Sequence, residues 1–211
     1  MEHSMSRSAV LAAILVLGLA LRLYHFQSPL IGFGSWRQCD TAAMARNFQA
    51  NGHHILYPQI DWAGDGPGYV ETEFPIYPYM VSGLYALFGV HDWFGRLVSI
   101  AMSMLGVLGI YLLVKEEVDG RTALWAAGIL AVLPLSVYYG RTFMNEPMLL
   151  MCSVFGLYFF SKWMTSRLAW PGEASPRRYS SLSRSSSSFL PSTWDSRFSI
   201  SRSRSGARVA W

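Results

Sequence analysis

Leu97 to Val114 is a run of eighteen residues without a single charge. As a helix it rises about 27 Å, close to the roughly 30 Å hydrocarbon thickness of a bilayer. In lipid every backbone polar group has to be satisfied within the segment, so such a run crosses as a helix. The remaining chain has to be arranged around that crossing. Ala9–Leu21 is almost unbroken Ala, Leu, Val and Ile, and Leu23, Tyr24 and Phe26 extend it past Arg22, which would lie near an interface. It reads as a retained span or as a signal peptide; the lack of a convincing small-x-small site followed by polar sequence favours the span. Ala123–Tyr139 carries Pro134 near its far end, and Met148–Trp163 extends back to Glu146. The expected spans are about 9–26, 97–114, 122–140 and 146–163, within a membrane domain over residues 1–165.

Pro75–Gly89 is apolar but only fifteen residues long, with Pro78 near its start. It suits a surface-lying or re-entrant helix. A crossing here would move everything downstream to the opposite side. With it left out, Arg7, Lys115, Arg121, Lys162 and Arg167 share one side, and Arg37, Arg46, Arg96 and Arg141 the other. The positive-inside bias then puts the N-terminus and the 115–121 turn in the cytoplasm, and Asp40 and Glu146 outside. The fold class expected is an all-α polytopic membrane protein. It has about four transmembrane helices and a long outer first loop, 27–95, carrying short juxtamembrane helices.

The composition agrees: 52% apolar and 14% charged residues do not make an ordinary water-soluble domain. The net charge of +4 averages two different polypeptides. Residues 1–165 sum to −2, whereas 166–211 sum to +6 and contain fifteen Ser. A basic average of this origin is no nucleic-acid signal. The tail has no apolar face and is expected to be disordered. It reads either as an arginine–serine segment or as aberrant sequence after a frameshift or premature end; the near-absence of regular dipeptides favours the second. The two cysteines, Cys39 and Cys152, are expected as free thiols.

A structureless loop over Gln27–Glu73 would be unusually long, so short helices are expected in it. Asp40–Ala50 is the best, with Ala43, Met44 and Phe48 suited to a membrane surface. Trp36, Tyr57, Trp62 and Tyr69 could sit at headgroup level. Asp61–Gly68 is turn chemistry, and its acids match no EF-hand spacing. His53 and His54 read as loop residues rather than metal ligands, and no metal site is expected. Asp40 allows two readings: an acid in the first turn of a helix, favoured by the helix dipole, or a functional carboxylate beside the membrane. Glu146, just before Pro147, has the same pair of readings.

The order of these features is familiar. Leu21-Arg22-Leu23-Tyr24 ends a span, WRQCDTAAMARNF follows in the outer loop, then GLYALFG, Arg96 opening the next span, and RTFMNEP before the last. Over residues 9–165 this resembles the N-terminal part of the polytopic GT-C membrane glycosyltransferases of the protein-mannosyltransferase and aminoarabinose-transferase kind. The resemblance implies transfer of a sugar from a polyprenyl-phosphate donor to a glycan, lipid or protein acceptor at the outer face of a plasma membrane, a bacterial inner membrane. Membrane lipids would be the other partners. Asp40 matches the family's catalytic Asp and would act as general base in an inverting displacement. Glu146 matches an acid of the second outer loop and would orient the acceptor or the surroundings of Asp40. Arg37, Arg46 and Arg141 would be substrate-binding, toward donor phosphate. Glu73 lies where some relatives carry an acid followed by lysine; Phe74 follows it here, so the lysine contact is missing. No cofactor is implied, and a divalent metal is not required, because arginine can assist phosphate departure. Relatives carry roughly a dozen spans, so a shortened chain is expected. The rival reading is a non-enzymatic small membrane protein or assembly subunit.

Overall fold

A computed structural model describes residues 6–24, 26–31, 35–62, 64 and 66–168. The Ser/Arg-rich tail lies almost wholly outside them. The chain divides into two compact units, Met1–Ser161 and Lys162–Trp211. Of the second, the described residues 162–168 end a helix, with the Arg167 guanidinium over the Trp163 ring at 5.9 Å. The first unit holds the rest.

Among the described residues the fold is helical, without a strand: α1 (Arg7–Leu23), α2 (Trp36–Ala50), α3 (Ile76–Phe88), α4 (Trp93–Glu117), α5 (Gly120–Val132), α6 (Pro134–Tyr139) and α7 (Glu146–Leu168). Two segments are long and apolar enough to cross a membrane, Trp93–Glu117 and Glu146–Arg167. The helix over the first expected span stops at Leu23, and α3 has thirteen residues, about 20 Å, too short to cross alone. The third expected span is not one helix. Pro134 has no N–H to give and disfavours a helical Leu133, which sits at φ −55°, ψ 122°. The helix therefore breaks between α5 and α6. At its other end Asp119 caps α5, accepting from Arg121 N, Thr122 N and Thr122 Oγ1 at 2.6–3.1 Å. Those bonds, the Thr122 hydroxyl's first, hold its carboxyl below the usual range.

Val16, Leu17, Leu19, Trp125, Ile129, Leu157, Phe159 and Phe160 face outward from α1, α5 and α7. Exposed apolar surface spread over several helices fits lipid better than water. Both cysteines are free.

Two cores hold the unit. The first joins α1, α4 and α5 through small residues: Ala123, Ala127 and Ala131 pack on Val107 and Tyr111. The second joins α2, α3, α4 and the α6–α7 turn, with Ala42, Ala45, Tyr77, Val81, Tyr85, Phe94 and Phe143. Ala43, Met44 and Phe48 are also buried. The face of α2 expected on a membrane surface is thus buried, and α2 packs on α3 instead.

Arg22 corrects another expectation. It lies in the last turn of α1 but is turned inward and is fully buried. Nε donates to Ser103 Oγ (2.8 Å), Nη1 to the carbonyls of Gly18 (3.0 Å) and Ala131 (2.9 Å), and Nη2 to Ser136 Oγ (2.8 Å). The Ala131 carbonyl belongs to the last turn of α5, where the break at Pro134 leaves carbonyls without helical donors. Gly140 is required beside it, because a Cβ there would lie 2.6 Å from Ser103 Oγ and 2.7 Å from Arg22 Nε.

The α6–α7 turn is seated by contacts of the same kind. Tyr77 hydroxyl donates to the Gly95 carbonyl and pairs with Ser99 Oγ, both at 2.7 Å, and Ser99 Oγ donates to the Met144 carbonyl (3.2 Å). Phe143 lies so close over Gly95 that an added Cβ would be 1.8 Å from its ring. Gly95→Ala should therefore destabilise the protein by about 1–3 kcal/mol, the usual range for overpacking. Gly106→Ala, whose Cβ would meet only Met151 backbone at 3.9 Å, should change little. Thermal unfolding of both in detergent checks the pair; equal midpoints would refute the close packing of Phe143 on α4.

Candidate active site

Helix α2 starts four residues earlier than expected. Nothing after Gly34 breaks a helix, and Ser35 takes the N-cap position, so the first turn holds no acid. Asp40 is in the second turn and is no cap. The capping reading of this residue is corrected on that ground. Its side chain borders a cavity of about 540 Å³ together with Trp36, Arg37, Glu71, Glu73 and Asn145. Asp40 Oδ1 accepts from the Trp62 indole N–H at 3.0 Å. Oδ2 takes no hydrogen bond among the described residues.

Arg37, one turn before Asp40, links the cavity to α7. Its Nη2 lies 3.2 Å from Glu73 Oε1 and 3.4 Å from Glu146 Oε1. Glu146 is the first residue of α7, with Pro147 second, so it sits where the helix dipole favours an acid. It also meets Arg37; the two readings of Glu146 do not compete. Its Oε2 is buried and without a hydrogen-bond partner among the described residues. Such an acceptor, left unmade, is costly and calls for a donor.

The other sequence candidates lie elsewhere. Arg46 is half exposed and pairs with Asp61 Oδ2 at 3.0 Å. Arg141 donates from Nη1 to the Tyr24 carbonyl (3.0 Å). Neither borders the cavity. Arg96 was read only as the opening of a span, yet it is buried, with Nη1 on the Phe26 carbonyl (2.8 Å) and Nη2 on that of Pro29 (3.1 Å). Its Nε is buried without a partner among the described residues. Arg96 and Arg141 hold the same 24–29 segment and are close enough to repel one another. Arg96 also borders a second cavity, of about 380 Å³, with Gln27, Ser28, His91 and Asp92.

Asn145, Glu71 and Gln38 carry no site signal in the sequence, and Trp62 reads there only as a headgroup-level residue; Gln38 Oε1 accepts from Phe143 N at 3.2 Å. That bond ties α2 to the turn before Glu146. Among the described residues no group of three or more His, Cys, Asp or Glu side chains is placed to hold a metal ion. His53 pairs through Nδ1 with Ser82 Oγ at 3.2 Å, as a loop residue would.

A family model described as dolichyl-phosphate-mannose-protein mannosyltransferase matches residues 67–172, half of the chain. The match takes in Glu73, Arg96, Arg141 and Glu146 and begins after Asp40. No curated protein and no solved structure matches.

The geometry ranks two substitutions on the same helix. Gln38→Ala strands a buried N–H and should cost about 1–3 kcal/mol. Arg46→Ala removes an exposed pair and should cost less than about 1 kcal/mol. Unfolding midpoints of the two variants give the order, and the reverse order would mean that α2 is not anchored to the α6–α7 turn through Gln38.

Proposed function

The chain belongs to the dolichyl-phosphate-mannose-protein mannosyltransferase family, and on that premise we propose that it is a GT-C membrane glycosyltransferase moving a sugar from a polyprenyl-phosphate donor to an acceptor hydroxyl. The observation that carries the reading is Asp40: it caps nothing, borders a cavity large enough for a sugar, and keeps one carboxylate oxygen for a new partner. Asp40 takes the proton of the acceptor hydroxyl as its oxygen bonds to the anomeric carbon. The bond from that carbon to the phosphate oxygen breaks, the phosphate leaves with the electron pair, and the configuration inverts. Glu73, which borders the cavity, accepts from sugar or acceptor hydroxyls, and Glu146, outside its lining, holds Arg37 from the α7 side.

Arg37 is already engaged by two carboxylates and Arg46 by Asp61, so both are poorly placed to serve a phosphate. Arg141 and Arg96 suit it better. They are two neighbouring cations, bound to backbone carbonyls, with a buried Arg96 N–H still to satisfy. A phosphate relieves their mutual repulsion and accepts from them in forked geometry. Asp92, beside Arg96, opposes this and limits the affinity gained.

The topology that goes with this reading has α1, α4, the broken α5–α6 pair and α7 as four crossings, and the N-terminus in the cytoplasm. Asp40 and Glu146 then share the outer side. In a Cys-free background, Cys at 40 and at 146 should both react with a membrane-impermeant maleimide in intact cells, and Cys at 119 only after permeabilisation. Labelling of 40 and 146 from opposite sides would sink the four-crossing arrangement.

Asp40→Asn keeps the size of the side chain and removes the base. Turnover in membranes, with a polyprenyl-phosphate sugar and matched protein levels, should fall by about 100-fold or more. Arg141→Ala should instead weaken donor binding. Near-normal transfer by the Asn variant, or none by the unaltered chain, would overturn the proposal.

A further inference from the structure

Residues 57–62 and 66–70 pair as the two arms of a hairpin-like loop. Ile60 N donates to the Gly68 carbonyl (2.9 Å) and Val70 N to that of Pro58 (3.1 Å), with Gln59 bridged antiparallel to Tyr69. Tyr57 and Tyr69 meet edge to face at 5.9 Å. Gly68 is at φ +65°, and a Cβ there would lie 2.2 Å from the Ile60 oxygen, so the loop closes only around glycine.

The loop is laid along one stripe of α2. Asp40, Asn47 and Asn51 are seven and four residues apart, so at 3.6 residues per turn they fall within about 20° of one line. Each bonds to the loop. Asn51 Nδ2 donates to Gln59 Oε1, and Asn47 Nδ2 to the Gln59 carbonyl (3.0 Å) and Asp61 Oδ1 (3.1 Å). Arg46 adds its pair to Asp61. The next residue is Trp62, whose indole N–H reaches Asp40 Oδ1 at 3.0 Å while the residue stays 71% exposed. A large aromatic left in solvent and fixed by one bond is not there for packing.

We propose that Trp62 is the positioning residue of the reaction: the loop is a strap that brings an indole N–H onto Oδ1 of Asp40 and so aims Oδ2 at the acceptor hydroxyl. The inference rests on Asp40 being the general base. Indole N–H donates and never accepts, so it fixes the carboxylate without competing for the acceptor's proton. The other charges around the cavity are Arg37, Glu71 and Glu73, and Arg46 with Asp61 at the strap.

Trp62→Phe keeps a ring and loses the donor. In the full chain kcat should fall by about tenfold, the scale on which a misaimed reacting group loses rate. Donor KM should hold. Trp62→Gln, which restores an N–H donor without the ring, should recover most of the loss. The second readout needs no activity. In the full chain in detergent, the indole ¹⁵N–¹H resonance that disappears in Trp62→Phe should change position in Asp40→Asn, where an amide oxygen replaces the carboxylate as its acceptor. A Trp62 resonance indifferent to Asp40→Asn would overturn the strap and leave the base untouched. A resonance that moves in Asp40→Asn while that variant stays active would overturn the base, and the hydrogen bond would stand.

Discussion

The buried guanidinium of Arg22 is the constraint on which the rest of the structure hangs. Removing such a charge from water costs several kcal/mol. Four hydrogen bonds to neutral acceptors, at about 1.5–3 kcal/mol each for a charged donor, roughly offset that. The net gain is small, so its effect is on register more than on stability. It binds α1 to itself at Gly18, to α4 at Ser103, and to both sides of the proline break at Ala131 and Ser136. With those points fixed, Gly140 has one place to go, and the α6–α7 turn follows. Phe143 then meets Gly95, and Phe143 N meets Gln38 on α2. Through these steps an arginine at the end of α1 decides where Glu146 stands relative to Arg37.

The described part of the chain between α1 and α4 is a folded body and not a tether. Helices α2 and α3 bury their shared face on α4 and Phe143, and the 57–70 loop closes over the polar stripe of α2. The face of α2 that reads as membrane-seeking is covered by protein. That leaves its opposite, polar stripe to carry Asp40. A carboxylate on a helix that is packed from one side and strapped from the other has little freedom to wander, which is what a general base needs.

The sequence shows what depends on length and hydropathy: the 97–114 and 146–163 crossings, the shortness of 75–89, and helices within the long loop. It shows less where local signals conflict. Asp40 looks like a helix start, but the helix begins four residues earlier, at Trp36. Pro134 is plain to see, but the break it makes depends on Arg22, 112 residues earlier, being there to satisfy the freed carbonyl. Arg22 itself reads as an interface residue, because Ser103 and Ser136 look like ordinary small polar residues in apolar runs. Of the candidate site, Asp40, Arg37, Glu73 and Glu146 come together as residues of interest, whereas Arg46 and Arg141 lie apart from the cavity. Trp62 reads only as a headgroup-level aromatic and Asn145 carries no local signal; only the closed loop and the α6–α7 turn bring them in.

The separation of charge adds a last constraint to the proposed chemistry. The Asp40 cavity is bordered by three carboxylates and one arginine, and that arginine is already shared between Glu73 and Glu146. An anion entering there meets repulsion. Arg96 and Arg141 stand together on the 24–29 segment, where an anion is welcome. A displacement at an anomeric carbon asks for this division. The proton acceptor belongs on the side of the incoming hydroxyl, and the cations belong with the departing phosphate, in line behind the carbon. Were the arginines inside the carboxylate cavity, they would quench the base. Were the carboxylates beside the phosphate, they would oppose its departure. Arg141 opens the α6–α7 turn and Glu146 follows it, so under the proposed chemistry the segment that Arg22 positions would set the spacing between base and leaving group.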